Sequence, residues 1–431
     1  MQLNQELELN QTNPVESILF QTSSPLSVSN NKTHLNILFL IPHPFYEDRG
    51  SPIADDMLLK VLSERGDKID VVAYPEGQNV TYSNTTLYRT TKFPGCSNVR
   101  PGFSWKKLVY DVLMLFKVLQ LTFQKKYDLI HAIEETVFIA LLIKFLFKTP
   151  YIYDMDSSVA QQMIEKYPKL SPLKSVFNTF EGLAVKHAQA VVPVCQALAN
   201  DIAEYKPQKV VLLPDVSLLK SNPNQLTEDL KQNLNINHLL MMYVGNLESY
   251  QGIDLLLDSF ALTLKQTQKA DLVIVGGEPE DVEFYQQKAQ QLGIDHNVHF
   301  LGKKPASELD IYLSQADILV SPRTKGKNTP MKIYSYLDSG KAVLATDLFT
   351  HTQVLNPEVA QLAIPEPEAF AQGMVNLITN ETLRTKLGEA GKALVHEKYS
   401  YSAFRQQSNR LYNELTQELL PNSVSVGYNQ E

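Results

Sequence analysis

The stretch Asn328-Thr329-Pro330-Met331-Lys332-Ile333-Tyr334-Ser335-Tyr336-Leu337-Asp338-Ser339-Gly340-Lys341 decides how this chain is read. Strand-like runs flank it, Ala316-Asp317-Ile318-Leu319-Val320 before and Ala342-Val343-Leu344-Ala345-Thr346 after. The order is strand, polar loop, helix, glycine stop, strand. Thr329 suits a helix cap, and Pro330 suits the first turn, where a missing N–H costs nothing. Such a helix aims free N–H groups and a positive dipole end at whatever lies above the sheet, and Lys332 adds a cation one turn in. The expectation is a phosphate site, hence a nucleotide-type ligand. The competing reading is an ordinary buried helix between two parallel strands.

The same alternation runs outward in both directions. Downstream of a polar gap from Ser217 to about Asn237, strands are expected at Leu239 to Val244, Leu272 to Val275, Val298 to Leu301, Ile318 to Val320 and Val343 to Ala345. Upstream, they are expected at Ile37 to Ile41, Ile69 to Tyr74, up to His131, Tyr151 to Asp154, Ala190 to Val194 and Val210 to Leu213. Helical patterns separate them, so the fold class is α/β: two doubly wound, Rossmann-like domains. The expected division is a disordered leader over 1–34, one domain over 35–216, a second over 217–398, a last helix over 399–420 and a flexible tail over 421–431. Ligands of doubly wound sheets bind beyond the carboxyl ends of the strands, so two such domains facing each other make a cleft with one ligand on each side. A hinge is expected near Pro214 to Asn222.

Composition narrows the class. A net charge of −8 argues against a nucleic-acid binder. The only cysteines, Cys96 and Cys195, suggest neither a disulfide framework nor a metal site, which points to a reducing, cytoplasmic setting. Leu108 to Phe123 and Phe138 to Phe147 are apolar but interrupted by charge. They read either as core helices or as a surface that docks on a membrane, with Trp105, Lys106, Lys107, Lys125 and Lys126 beside it; peripheral contact at the inner face of a membrane stays open.

The order and spacing of several segments together resemble the family 4 glycosyltransferases, which have the two-domain GT-B fold. The segments are Val244-Gly245-Asn246-Leu247-Glu248-Ser249-Tyr250-Gln251-Gly252-Ile253-Asp254, Leu272 to Gly277, Asn297-Val298-His299-Phe300-Leu301-Gly302, Ala316 to Pro322, and the opening stretch through Thr346. The resemblance covers about Leu35 to Leu419. It implies retaining, metal-independent transfer of a hexose-type sugar from a nucleotide-sugar, which is a co-substrate rather than a resident cofactor. The acceptor would be a hydroxyl of a glycan or lipid. The C-terminal domain would hold the donor, the N-terminal domain the acceptor, and the last helix would cross back onto the N-terminal domain.

The chain departs from the family where charge is usual. Asn246 and Gln251 stand where relatives carry an Arg and a Lys, and Lys327 and Ser335 stand where relatives carry two glutamates. One reading is a degenerate, weakly binding domain. The preferred one is relocation: Arg323, Lys325, Lys327 and Lys332 bring positive charge to the same loop, with Asn328, Thr329, Pro330 and Met331 supplying backbone and Ser335 reaching a ribose hydroxyl. Gly245 would let its loop approach the diphosphate.

In the N-terminal half, Arg49, Gly50 and Ser51 follow the first strand and are candidate acceptor contacts, with Ser51 as a helix cap. His131, where relatives often place a histidine near the transferred sugar, is the candidate catalytic residue, with Glu134 in the same loop. Asp154-Met155-Asp156 has the D-x-D form of a metal–nucleotide motif, but a cleft-lining, acceptor-binding role for Asp156 is preferred and no metal is expected. The alternatives to transfer are a non-catalytic nucleotide- or sugar-binding protein and a nucleotide-sugar epimerase, which shares the architecture.

Overall fold

The computed structural model describes residues 34–47, 50–96, 99, 104–219 and 229–420. The expected leader and tail, and Arg49, lie outside the described residues. The N-terminal sheet comprises β1 (Asn36–Ile41), β2 (Lys68–Ala73), β3 (Thr85–Arg89), β4 (Leu129–Ile133), β5 (Tyr151–Met155) and β6 (Ala190–Pro193), in the order β3-β2-β1-β4-β5-β6. The C-terminal sheet comprises β7 (Leu239–Val244), β8 (Ala270–Val275), β9 (Val298–Gly302), β10 (Ile318–Ser321), β11 (Ala342–Thr346) and β12 (Gln361–Ala363), in the order β12-β11-β10-β7-β8-β9. Every pairing is parallel. Two strands escaped the sequence reading, β3 and β12. Both are edge strands and largely half-buried, so neither shows a continuous apolar run. Val210 to Leu213 forms no strand, only an isolated bridge between Val210 and Val191.

The inner strands are buried on both faces because helices cover each side, the physical reason for their unbroken Ile, Leu and Val runs. The helix Gly50–Arg65 packs on one face of the N-terminal sheet. The helices Trp105–Gln124, Val137–Phe147 and Lys174–His187 lie on the other. The final helix, Tyr401–Leu419, buries Phe404, Leu411, Tyr412 and Leu415 in the same core cluster as β1 and the Gly50–Arg65 helix, so it does cross back onto the N-terminal domain. Arg65 bonds the Asn409 carbonyl, the Asn413 side chain and Thr416, and Lys209 pairs with Glu414 and Glu418 across the same seam.

Each sheet has one place where chain order reverses, between β1 and β4 and between β7 and β10. Loops leaving these strands diverge and open a crevice, and the segments after Ile41, Ile133, Val244 and Ser321 border it.

Candidate functional site

On the C-terminal side the loops after β7 and β10 meet. Gly245 has φ of +152°, and a side chain there would stand 2.5 Å from Lys332 Nζ. Gly252, at φ +77°, lets the first loop lie against the Pro322 carbonyl of the second. Lys332 Nζ sits 4.0 Å above the Tyr243 ring and donates to Gln251 Oε1 at 3.2 Å. Arg323 is 8 % exposed; it donates to the Lys325 carbonyl and to Asn328 Oδ1 and lies 5.2 Å from the Tyr250 ring centroid. Among the described residues neither cation has a carboxylate within ion-pair distance. Burial, and then the Arg323 charge, holds the Lys332 ammonium well below the usual lysine range, and burial lowers Arg323 as well. His351 lies behind them, bonded to Ser321 and Thr346 and pushed down to about 4 by burial, with Arg323 and Lys332 adding to the effect. A neutral imidazole spares the pocket a third positive charge. Two buried cations without a counter-ion form a site short of an anion.

The other expected donor residues surround this pair, and several of their side chains are engaged by the protein itself. The helix begins at Lys332 and spans only Lys332–Asp338, with Met331 at its cap position and no side-chain cap. Thr329 and Pro330 belong instead to a tight turn in which Ile333 N–H bonds the Pro330 carbonyl, so Thr329 caps nothing and the helix dipole counts for less than the sequence suggests. The Thr329 backbone N–H faces the Cys195 sulfur of the other domain. Lys327 Nζ pairs with Asp201 at 2.6 Å, also across the domain boundary. Ser335 is buried, and its hydroxyl accepts the Leu218 N–H of the linker at 3.0 Å. Asn246 is exposed at the loop tip, within 3.5 Å of the Tyr250 hydroxyl.

On the N-terminal side His131 is 1 % exposed and stacks on Phe39. One ring nitrogen is 2.9 Å from Asp154 Oδ2 and the other 2.7 Å from the Tyr412 hydroxyl of the crossing helix. With both nitrogens engaged inside the domain, His131 presents none to a sugar in this arrangement; its place is under Asp154. Glu134 follows β4 with φ of +45° and accepts from Ser157 Oγ. Gly50 is the first residue of its helix and Ser51 the second, so Ser51 lies inside the helix rather than capping it.

His43, Asp55 and Asp215, which the sequence reading did not single out, complete this face beside Asp156. His43, two residues past β1, bonds Asp55 at 2.8 Å. Burial holds Asp55 and Asp156 well above the usual carboxylate range, with Asp154 and Glu134 adding repulsion, and Asp215 is pushed up to about 7 by burial and then Asp154. The strand-end rule could have found His43. No spacing links residues 43, 55, 156 and 215. Asp154 and Asp156 do not converge with a third ligand: among the described residues no group of three His, Cys, Asp or Glu side chains is arranged to hold a metal ion.

Comparison with known proteins gives this geometry a family. Residues 56–215 match the glycosyl transferase 4-like domain, and residues 225–394 match glycosyl transferases group 1. The chain belongs to the family 4 glycosyltransferases. Across 362 residues it is 22 % identical to an uncharacterized glycosyltransferase of Methanocaldococcus jannaschii, covering 78 % of this chain and 86 % of that one. Its fold is similar to that of sucrose-phosphate synthase from Thermosynechococcus elongatus, with a TM-score of 0.72 at 18 % identity over 89 % of this chain and all (100 %) of that one. It is also similar to Anabaena HepE in complex with UDP-glucose, with a TM-score of 0.66 at 18 % identity over 88 % of this chain and 100 % of that one. The two doubly wound domains read from the strand pattern, and the GT-B fold that the resemblance implied, are therefore the architecture of the molecule.

In this glycosyltransferase the two faces meet across the domain boundary. Asp215 lies near Tyr334 of the Lys332–Asp338 helix and near Cys195, and Cys195 lies near Arg323. Gln353 closes the contact, accepting the Ala197 N–H at 2.8 Å and donating to the Lys327 carbonyl at 2.7 Å. A cationic wall thus stands opposite a carboxyl-lined one. The enzyme is a glycosyltransferase that moves a sugar from a nucleotide-sugar donor to an acceptor.

Proposed function

We propose that Arg323 and Lys332 hold the diphosphate of the nucleotide-sugar, with Gly245, Asn246 and Gln251 bordering it and the backbone of Asn328 to Met331 lining the far edge. The observation that carries this is the pair of buried cations without a carboxylate at the β7/β10 reversal. As the bond from the sugar's anomeric carbon to the phosphate oxygen breaks, negative charge grows on the leaving diphosphate. Two fixed cations meet it without reorganisation. They supply the positive charge that a divalent ion supplies elsewhere, so the transfer runs without a metal. The acceptor oxygen forms the new bond with retained configuration, and its proton leaves with the diphosphate.

The acceptor lies against Asp55, Glu134, Asp156 and Asp215. Asp55, Asp156 and Asp215, whose ionisation is opposed by burial and by neighbouring carboxylates, can both donate to and accept from sugar hydroxyls. The acceptor is a hydroxyl of a glycan or of a lipid-linked glycan, and the reaction takes place in the cytoplasm, at the inner face of a membrane. A thermal-shift panel of UDP, GDP and ADP with their sugar conjugates tests the donor assignment, since a ligand bound only by the native state raises the melting temperature. One base should shift it clearly; no shift with any of them at saturation would overturn the assignment.

A further inference from the structure

Large apolar side chains are exposed very unevenly in this molecule. The helix Trp105–Gln124 buries Tyr110, Met114, Val118 and Leu121 and turns Trp105, Leu108, Val112, Phe116 and Phe123 outward; Phe116 is 64 % and Phe123 77 % exposed. Recurrence at three to four residues makes these one stripe about 27 Å long. The adjacent helix Val137–Phe147 adds Leu142, Phe145 and Leu146, and Lys174–His187 adds Val176, Phe180 and Leu183. Phe123 meets Phe147 edge to face at 5.0 Å, which joins the first two helices into one surface. The C-terminal domain exposes only Phe284, Leu292, Phe349 and Ile364 among the described residues. A continuous apolar face of this extent marks an interaction surface.

Charge identifies the partner. Over 104–126, 137–148 and 168–187 there are ten lysines and two acids, in a chain whose net charge is −8. Both acids are turned to the protein: Glu181 is buried and accepts from Ser158, and Asp111 accepts from Tyr74. Lys126, Lys148, Lys174 and Lys186 are exposed around the apolar stripe. A second copy would bring the same positive charge and be repelled. An anionic lipid surface offers hydrocarbon to the aromatic groups and phosphates to the lysine heads, whose stems lie along the boundary.

We infer that this three-helix face docks the N-terminal domain on an anionic bilayer. No helix is long and apolar enough to cross one, so the contact is peripheral. The Trp105 end of the stripe lies by the cleft, since Lys107 pairs with Glu135 just beyond β4; the far end lies by Lys125, which pairs with Asp70 near the start of β2. The docked molecule keeps its acceptor wall at the membrane edge. This deepens the membrane-side part of the proposed function and is independent of donor binding.

Co-sedimentation of the whole chain with phosphatidylcholine vesicles, and with vesicles containing an equal share of phosphatidylglycerol, tests it at low and high salt. The protein should pellet with the anionic vesicles at low salt and much less at high salt. Phe116→Glu and Phe145→Glu should each reduce the bound fraction about tenfold, as one anionic, non-inserting side chain replaces an inserting one, while Phe284→Glu in the C-terminal domain leaves it unchanged. All three variants should keep the melting temperature and its shift by nucleoside diphosphate, which separates this result from a failure of donor binding. Absence of pelleting at low salt, or equal pelleting by the Phe116 and Phe284 variants, would overturn the inference. So would sedimentation equilibrium showing a dimer that Phe116→Glu dissociates while vesicles are ignored.

Discussion

Asp215 shows how a single residue records the character of the cleft. Its carboxyl titrates near 7 in the folded chain against 3.8 in a free carboxyl, because burial and then Asp154 oppose its charge. Between those values the folded state keeps a proton that the unfolded state has released. Its contribution is therefore neutral at acid pH, and stability falls as pH rises through that window. Asp215→Asn removes the effect. The variant should melt with the wild type in acid and above it beyond about pH 8, by on the order of 1–2 kcal/mol after solvent screening. A difference that does not vary with pH would contradict the placement of this carboxyl. The chain's chemistry was legible where one loop carries it, as with Arg323 and Lys332, and illegible where folding gathers it from far apart. His131 is a related case: a histidine near a strand end has the same signature whatever it faces, and here its ring nitrogens meet Asp154 and a tyrosine 281 positions later.

Among the elements, the long buried strands and the long helices were readable because unbroken apolar runs and helical periodicity leave one solution. The half-exposed edge strands β3 and β12 were not. The Thr329–Pro330 pair has the composition of a helix start, yet tertiary packing spends Thr329 on the domain boundary and delays the helix to Lys332. The helix Tyr401–Leu419 is amphipathic in sequence, and its partner is visible only in the fold. Leu415 is fully buried in the N-terminal core from the far end of the chain. Leu415→Ala should cost about 2–4 kcal/mol in denaturant unfolding, the range for a large apolar side chain removed from a packed core. A cost below about 1 kcal/mol, the level of a surface substitution, would mean that the helix is not docked as described.

For the whole molecule, few polar contacts join the two domains among the described residues. Lys327–Asp201 is a half-exposed pair, worth at most about 1 kcal/mol and weakened by salt. Gln353 bridges the same boundary with uncharged hydrogen bonds. A weak boundary suits an enzyme that must admit and release two substrates. Asp201→Lys combined with Gln353→Ala puts like charges together and removes the bridge, so the radius of gyration in small-angle scattering should rise while the melting temperature of each domain core stays close to that of the parent. An unchanged scattering profile would show that other contacts set the domain arrangement.

In the proposed function Arg323 and Lys332 are retained for the donor's diphosphate at the expense of stability. Lys332→Met separates the two effects, because it removes a buried charge that both burial and Arg323 oppose. Titration calorimetry with the nucleoside diphosphate that wild type binds, paired with a melting curve of the free protein, is the most direct measurement. The expected result is binding weakened about 10- to 100-fold, the worth of a charge-assisted phosphate contact, together with an equal or higher melting temperature, while Lys304→Ala changes neither. Unchanged affinity in the Lys332→Met protein would contradict the account.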